Sequence, residues 1–148
     1  MRCGSWAFLF AGVLAVGCGS GGSGGDVVPI AGNIKVDGES APNAIVKLIP
    51  QGNTPGHGGE GTTDSTGHYE ATTPQGKKGI PPGQYKVTVS RRLNPDGSPP
   101  DPDVPPIESR AVETLPPKYS DPVKTELSLN ISPDDKRSFD FDLKVKKK

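Results

Sequence analysis

Two histidines, three tyrosines and a scatter of aspartates are the side chains of this 148-residue chain best suited to chemistry. His57 lies in the glycine-rich stretch "NTPGHGGEG" and His68 follows Gly67 in "DSTGH", with Glu60 and Asp64 as neighbouring carboxylates. Such a set would serve a zinc ion or a general base. Zinc wants three or four ligands in supporting geometry, and the histidines do not form a close pair. Asp96, Asp101 and Asp103 in "NPDGSPPDPD" are oxygen donors of the kind that holds calcium, but the proline spacing disfavours wrapping one ion. The one G-x-S-x-G match, Gly21–Gly25, lies in the glycine-serine tract and not between a strand and a helix, so it does not present a serine nucleophile. The residue types predict no metal, no cofactor and no catalytic residue, and a loop-borne active site is the one enzymatic alternative.

The side chain with the clearest chemical context is Cys18. Arg2 is followed by "WAFLFAGVLAV" (Trp6–Val16), an uninterrupted apolar run. It is shorter than the roughly 20 residues a membrane span needs and suits the hydrophobic region of a signal peptide. "Ala15-Val16-Gly17-Cys18" resembles the bacterial lipobox, in which small residues precede a cysteine that is lipidated before cleavage; Leu14 stands one position further from the cysteine than usual. Cys3 lies within the signal, so cleavage before Cys18 leaves it no disulfide partner in the chain. Each buried methylene contributes about 0.8 kcal/mol, and stable anchoring takes more than one acyl chain. The resemblance implies three such chains, attached to the lipid bilayer through Cys18. "GSGGSGGD" is then a flexible tether. The predicted organisation is a signal peptide over 1–17, lipidated cysteine and tether over 18–26, and a folded domain over 27–148.

Composition supports that division. Five glycines fall in Gly19–Gly25 and nine of the seventeen prolines lie between Pro95 and Pro122, so the remainder reads as globular. Loss of Arg2 leaves sixteen basic against seventeen acidic residues. That near-neutral balance gives no footprint for nucleic acid. Gly19 after Cys18 is not the aspartate that retains lipoproteins at the inner membrane in enterobacteria, which favours the outer membrane or cell envelope.

Period-two alternation recurs through the domain and helical periodicity does not. Val28, Ile30, Ile34 and Val36 share one face; "NAIVKLIP" is apolar on both sides apart from Lys47, as a central strand is. Tyr69 and Ala71, then Tyr85, Val87 and Val89, then Leu127, Leu129 and Ile131 continue the pattern. "RSFDFDLKV" is the clearest strand, with Phe139, Phe141, Leu143 and Val145 opposite Asp140, Asp142 and Lys144. Turn signals separate the runs, so the expected fold class is all-β, an antiparallel sandwich of about seven strands.

The order "GNIKVDGESAPNAIVKLIP … GTTDSTGHYEATT … GIPPGQYKVTVSR" resembles the carboxypeptidase-regulatory-like, or transthyretin-like, sandwich, and the segment "LPPKYSDPVKTELSLNIS…FDFDL" is similar to lipoproteins of this type in planctomycete-like bacteria. The resemblance spans most of residues 28–145, and its motifs are structural: Asp64 is expected to accept turn N–H groups and Gly67 to take a positive φ. Enzymes exist on related sandwiches. The intradiol dioxygenases hold iron with two tyrosines and closely spaced histidines; Tyr69, Tyr85, Tyr119, His57 and His68 lack that clustering. The hydroxyisourate hydrolases end in Tyr-Arg-Gly-Ser, whereas this chain ends "DLKVKKK".

The long proline-rich loop at about 91–118 is expected to stay exposed in polyproline-II-like conformations. The functional expectation is a membrane-anchored lipoprotein with a non-enzymatic binding role toward an envelope protein or glycan. A purely structural accessory module is the alternative from another class.

Overall fold

The computed structural model describes residues 26–136 and 138–145. The predicted signal peptide, Cys18 and the tether up to Gly25 lie outside the described residues. Among those described, the chain is all-β apart from one four-residue helix, α1 (Pro117–Ser120).

The alternating runs become strands because their apolar faces have a common core to enter. β1 (Ala31–Val36) is flanked by β2 (Glu39–Ser40), β5 (His68–Glu70) and β10 (Phe141–Leu143), making one four-stranded sheet. The second sheet has the order β4 (Gly59–Thr62), β3 (Ile45–Pro50), β6 (Gly83–Ser90), β9 (Ser128–Ile131). A two-stranded ribbon of β7 (Arg92–Leu93) and β8 (Val112–Glu113) carries the proline-rich segment. Ile34, Tyr69 and Leu143 from the first sheet and Val46, Leu48, Tyr85, Val87, Val89 and Ile131 from the second belong to one buried cluster. Each such aliphatic side chain contributes about 1.5–3 kcal/mol on full burial.

Three features depart from the sequence expectation. First, there are ten strands among the described residues rather than about seven, and three have only two residues. β4 is among the additions. Its sequence, Gly-Glu-Gly-Thr, has no apolar side chain to mark it. A Cβ on Gly59 would stand 2.3 Å from the carbonyl oxygen of Thr72, and one on Gly61 2.5 Å from that of Glu70. β4 therefore lies against the β5 segment by having no side chains at those positions.

Second, β1 and β10 pair parallel, Ile34 with Phe141 and Val36 with Leu143, so the fold is not wholly antiparallel. Side-chain alternation reports which face is buried and is blind to the direction of the neighbour. The inward pattern of "RSFDFDLKV" holds: Phe139 and Leu143 are buried and Asp140 and Asp142 exposed. Its ladder is only three residues long, because before Phe141 the Asp140 carboxylate takes the N–H of Asn33 at 2.7 Å.

Third, residues 101–109 form successive turns rather than an extended polyproline run, with the N–H groups of Glu108 and Ser109 both donating to the carbonyl of Pro105.

The registers define two ends. At the Ala31 end of β1, Val28 bridges Ile80, and the end of β9 meets the start of β6 through Ile131 and Gly83. At the Val36 end lie the close of β10 and the start of β3, where Ile45 pairs Ser90; Arg91 donates from Nε to the carbonyl of Pro42 there. Asp26 thus enters at one end, while the 91–115 segment and Val145 leave at the other. A six-residue strand separates the two by roughly 20 Å.

Candidate functional site

The histidines occupy two different places. His57 is exposed in the loop before β4, beside Glu60, whose carboxylate lies 3.7 Å from Lys47 Nζ. His68 opens β5 and is half-buried, and the turn before it is closed by Asp64. Asp64 Oδ1 accepts from the hydroxyl of Thr66 (2.7 Å), its N–H (2.8 Å) and the N–H of His68 (3.1 Å). Gly67 sits at φ +82°, where a Cβ would stand 2.6 Å from the carbonyl oxygen of Ile34. This is the turn role expected for both residues, and the Thr66 hydroxyl leads in holding the Asp64 carboxyl below the usual range.

His68 shares a shallow cleft with Val28, Pro29, Asp134, Asp135 and Ser138, a grouping of base, acids and hydroxyl that sequence separation concealed. The Ser138 hydroxyl gives its hydrogen to Asp140 Oδ1 at 2.7 Å, so the imidazole is not its acceptor here. No three His, Cys, Asp or Glu side chains among the described residues gather closely enough to hold a metal ion.

The tyrosines are framework residues. Tyr69 donates to the carbonyl of Phe139 at 2.9 Å and Tyr85 to that of Pro81 at 2.8 Å. The Tyr119 hydroxyl lies against the backbone of Lys144, accepting its N–H at 3.0 Å. Burial pushes the Tyr69 and Tyr85 hydroxyls up from their ordinary pKa, with the Asp140 charge adding to the effect at Tyr69. None of these rings is arranged around a shared ligand space with the histidines.

Asp96, Asp101 and Asp103 also serve turns. Asp96 Oδ1 accepts from the Ser98 hydroxyl (2.6 Å) and N–H (2.9 Å), and Asp101 Oδ1 from the N–H of Asp103 (2.9 Å). These turns brace a loop that is also clamped at its base. The Glu113 carboxylate accepts from the Ser90 hydroxyl (2.5 Å), the Arg91 N–H (2.9 Å) and the Leu115 N–H (3.0 Å). Arg92 donates from Nη2 to the carbonyl of Ala111 at 2.7 Å. Beside the loop a cleft of about 470 Å³ opens between its prolines and the exposed Ile45 of β3. Length and composition mark the loop in the sequence, but not its braces, because Glu113 is more than twenty positions from Ser90 and Arg91.

A polar surface on β1 and β10 carries Asn33, Lys35, Asp140 and Asp142. Asp140 is held below its ordinary 3.8, first by the Ser138 hydroxyl and then by the backbone and side chain of Asn33. A lowered folded-state pKa contributes stability above the unfolded value, and that contribution is lost as pH falls through the folded value. The Asp140→Asn variant is expected to show a smaller loss of stability than the wild type as pH is lowered from about 5, read as urea midpoints across the series. Equal slopes for both chains would show that this carboxylate does not link folding to pH.

No helix among the described residues is long and apolar enough to cross a membrane. Comparison with family models, with curated proteins and with solved structures finds no match for this chain.

Proposed function

We propose that the chain is an exported lipoprotein, held to the bilayer by acylated Cys18, whose transthyretin-like β-sandwich has a non-enzymatic binding role toward an envelope protein or glycan. The observation that carries the reading is polarity: Asp26, where the tether ends, enters at the opposite end of β1 from the proline-rich loop. A body tethered by its N-terminus offers that loop away from the attachment point. Two sheets contributing to one core support the sandwich. So does Tyr85 near the start of β6, whose hydroxyl returns to Pro81 four residues upstream, in the manner of the tyrosine corner of Greek-key sandwiches.

Membrane fractionation with intact mass, comparing wild type with Cys18→Ser in the native host, tests the anchor. Wild type is expected in the membrane fraction and heavier by its acyl groups, with Cys18→Ser released and unmodified. Two soluble, unmodified forms would overturn the lipoprotein reading.

A further inference from the structure

We propose that the turn at Pro105–Ser109 is a docking element for a second envelope protein, one that offers an apolar pocket ringed by lysine and arginine. The proposal deepens the binding role above and rests on it. Ile107 is 93 % exposed at the crest of that turn, where the Pro105 carbonyl accepts two N–H groups and holds the crest in shape. Pro99, Pro100, Pro102, Val104 and Pro106 continue the apolar surface from the crest into the cleft beside Ile45. Prolines and closed turns leave little conformational freedom to lose on association, which is the principal saving of a preorganised binding element.

Charge narrows the partner. Residues 94–109 carry Asp96, Asp101, Asp103 and Glu108 and no lysine or arginine. None of the four carboxylates forms an ion pair among the described residues. Arg92 and Arg110 line the clefts beside these acids, and with both counted the four carboxylates still leave the strip net negative, so it repels anionic lipid headgroups, nucleic acid and acidic glycans. The same stretch has no aromatic ring, so it lacks the stacking platform that a neutral sugar would use. A basic rim around an apolar pocket is the complementary surface, with Ile107 as the central side chain and the carboxylates steering encounter.

The test uses the full chain in its native host. A benzophenone amino acid is placed at position 106 or, as a control, at position 123, where Val123 is also largely exposed. After irradiation the adducts are sized and treated with protease and with glycosidase. Position 106 is expected to give a discrete protein adduct that position 123 does not. Its yield should fall roughly tenfold with Ile107→Asp, and likewise with Asp101→Lys combined with Asp103→Lys. All three residues are exposed, and unchanged thermal midpoints of the variants confirm that folding is intact. Equal adducts at both positions, a glycan or lipid adduct, or a protein adduct indifferent to both variants would overturn the proposal. Fractionation of the same cells separates the two readings. An anchored chain without the adduct removes the docking element alone, and a soluble chain with the charge-dependent adduct removes the anchor alone.

Discussion

Replacing Tyr69 by alanine is expected to destabilise the domain by about 3–5 kcal/mol, the range for removing a buried aromatic ring. The ring is 1 % exposed. Positions 32 and 61 on its two flanks are glycines, each of whose added Cβ would come within 3.3 Å of a ring carbon. The cavity would therefore be bounded by backbone on both sides, and backbone collapses less readily than side chains. Tyr69→Phe separates the ring from its hydroxyl: it keeps the packing and removes only the bond to Phe139, for a net cost of about 0.5–1.5 kcal/mol. Urea unfolding of the three chains reads the difference directly. Since whole domains are stable by about 5–15 kcal/mol, Tyr69→Ala is expected to lose a large share of the total. A loss below that of Tyr69→Phe would show that the ring is not a centre of the core.

Thr63→Val, a substitution of nearly equal shape, is expected to cost about 2–4 kcal/mol through hydrogen bonding alone. Thr63 is 3 % exposed, and its hydroxyl donates to the carbonyl of Ala41 at 2.6 Å while accepting the N–H of Ala44 at 2.8 Å. Its own backbone adds bonds to Asn43 and Ala44. One side chain thus satisfies two buried backbone groups where the chain passes from β2 to β3. Valine fills the space and leaves both groups without that partner, and an unmade buried bond costs more than a made one contributes. Thr63→Ser restores the hydroxyl and should recover most of the stability. If valine and serine variants unfold at the same urea concentration, the hydroxyl is not what holds the crossing.

Tyr69 and Thr63 also divide what was legible in the sequence from what was not. Tyr69 was readable as a core residue because alternation with Ala71 marks an inward face, and that signal is local. Thr63 was not, since "GTTDSTG" reads as a polar turn and the groups that bury it come from a segment some twenty residues earlier. Asp64 and Gly67 were readable for the same local reason as Tyr69: the bonds they make span two to four residues. The early end of the β10 ladder at Phe141 was hidden because Asp140 answers to Asn33, 107 positions away.

The candidate surfaces follow the same division. Alternation, turn residues and the composition of "PDGSPPDPDVPPIES" determined by themselves that the chain is all-β and that one long proline-rich segment stands outside the core. They were silent on the glycine strand β4, which is a strand only because the β5 backbone passes where side chains would be. They were silent also on the direction of β10 and on which end of the domain the loop occupies, which the pairing of Ile45 with Ser90 sets. Only tertiary structure decided these, because strand direction and loop placement depend on hydrogen bonds between residues far apart in the chain, whereas a face is set by each residue and its neighbours two away.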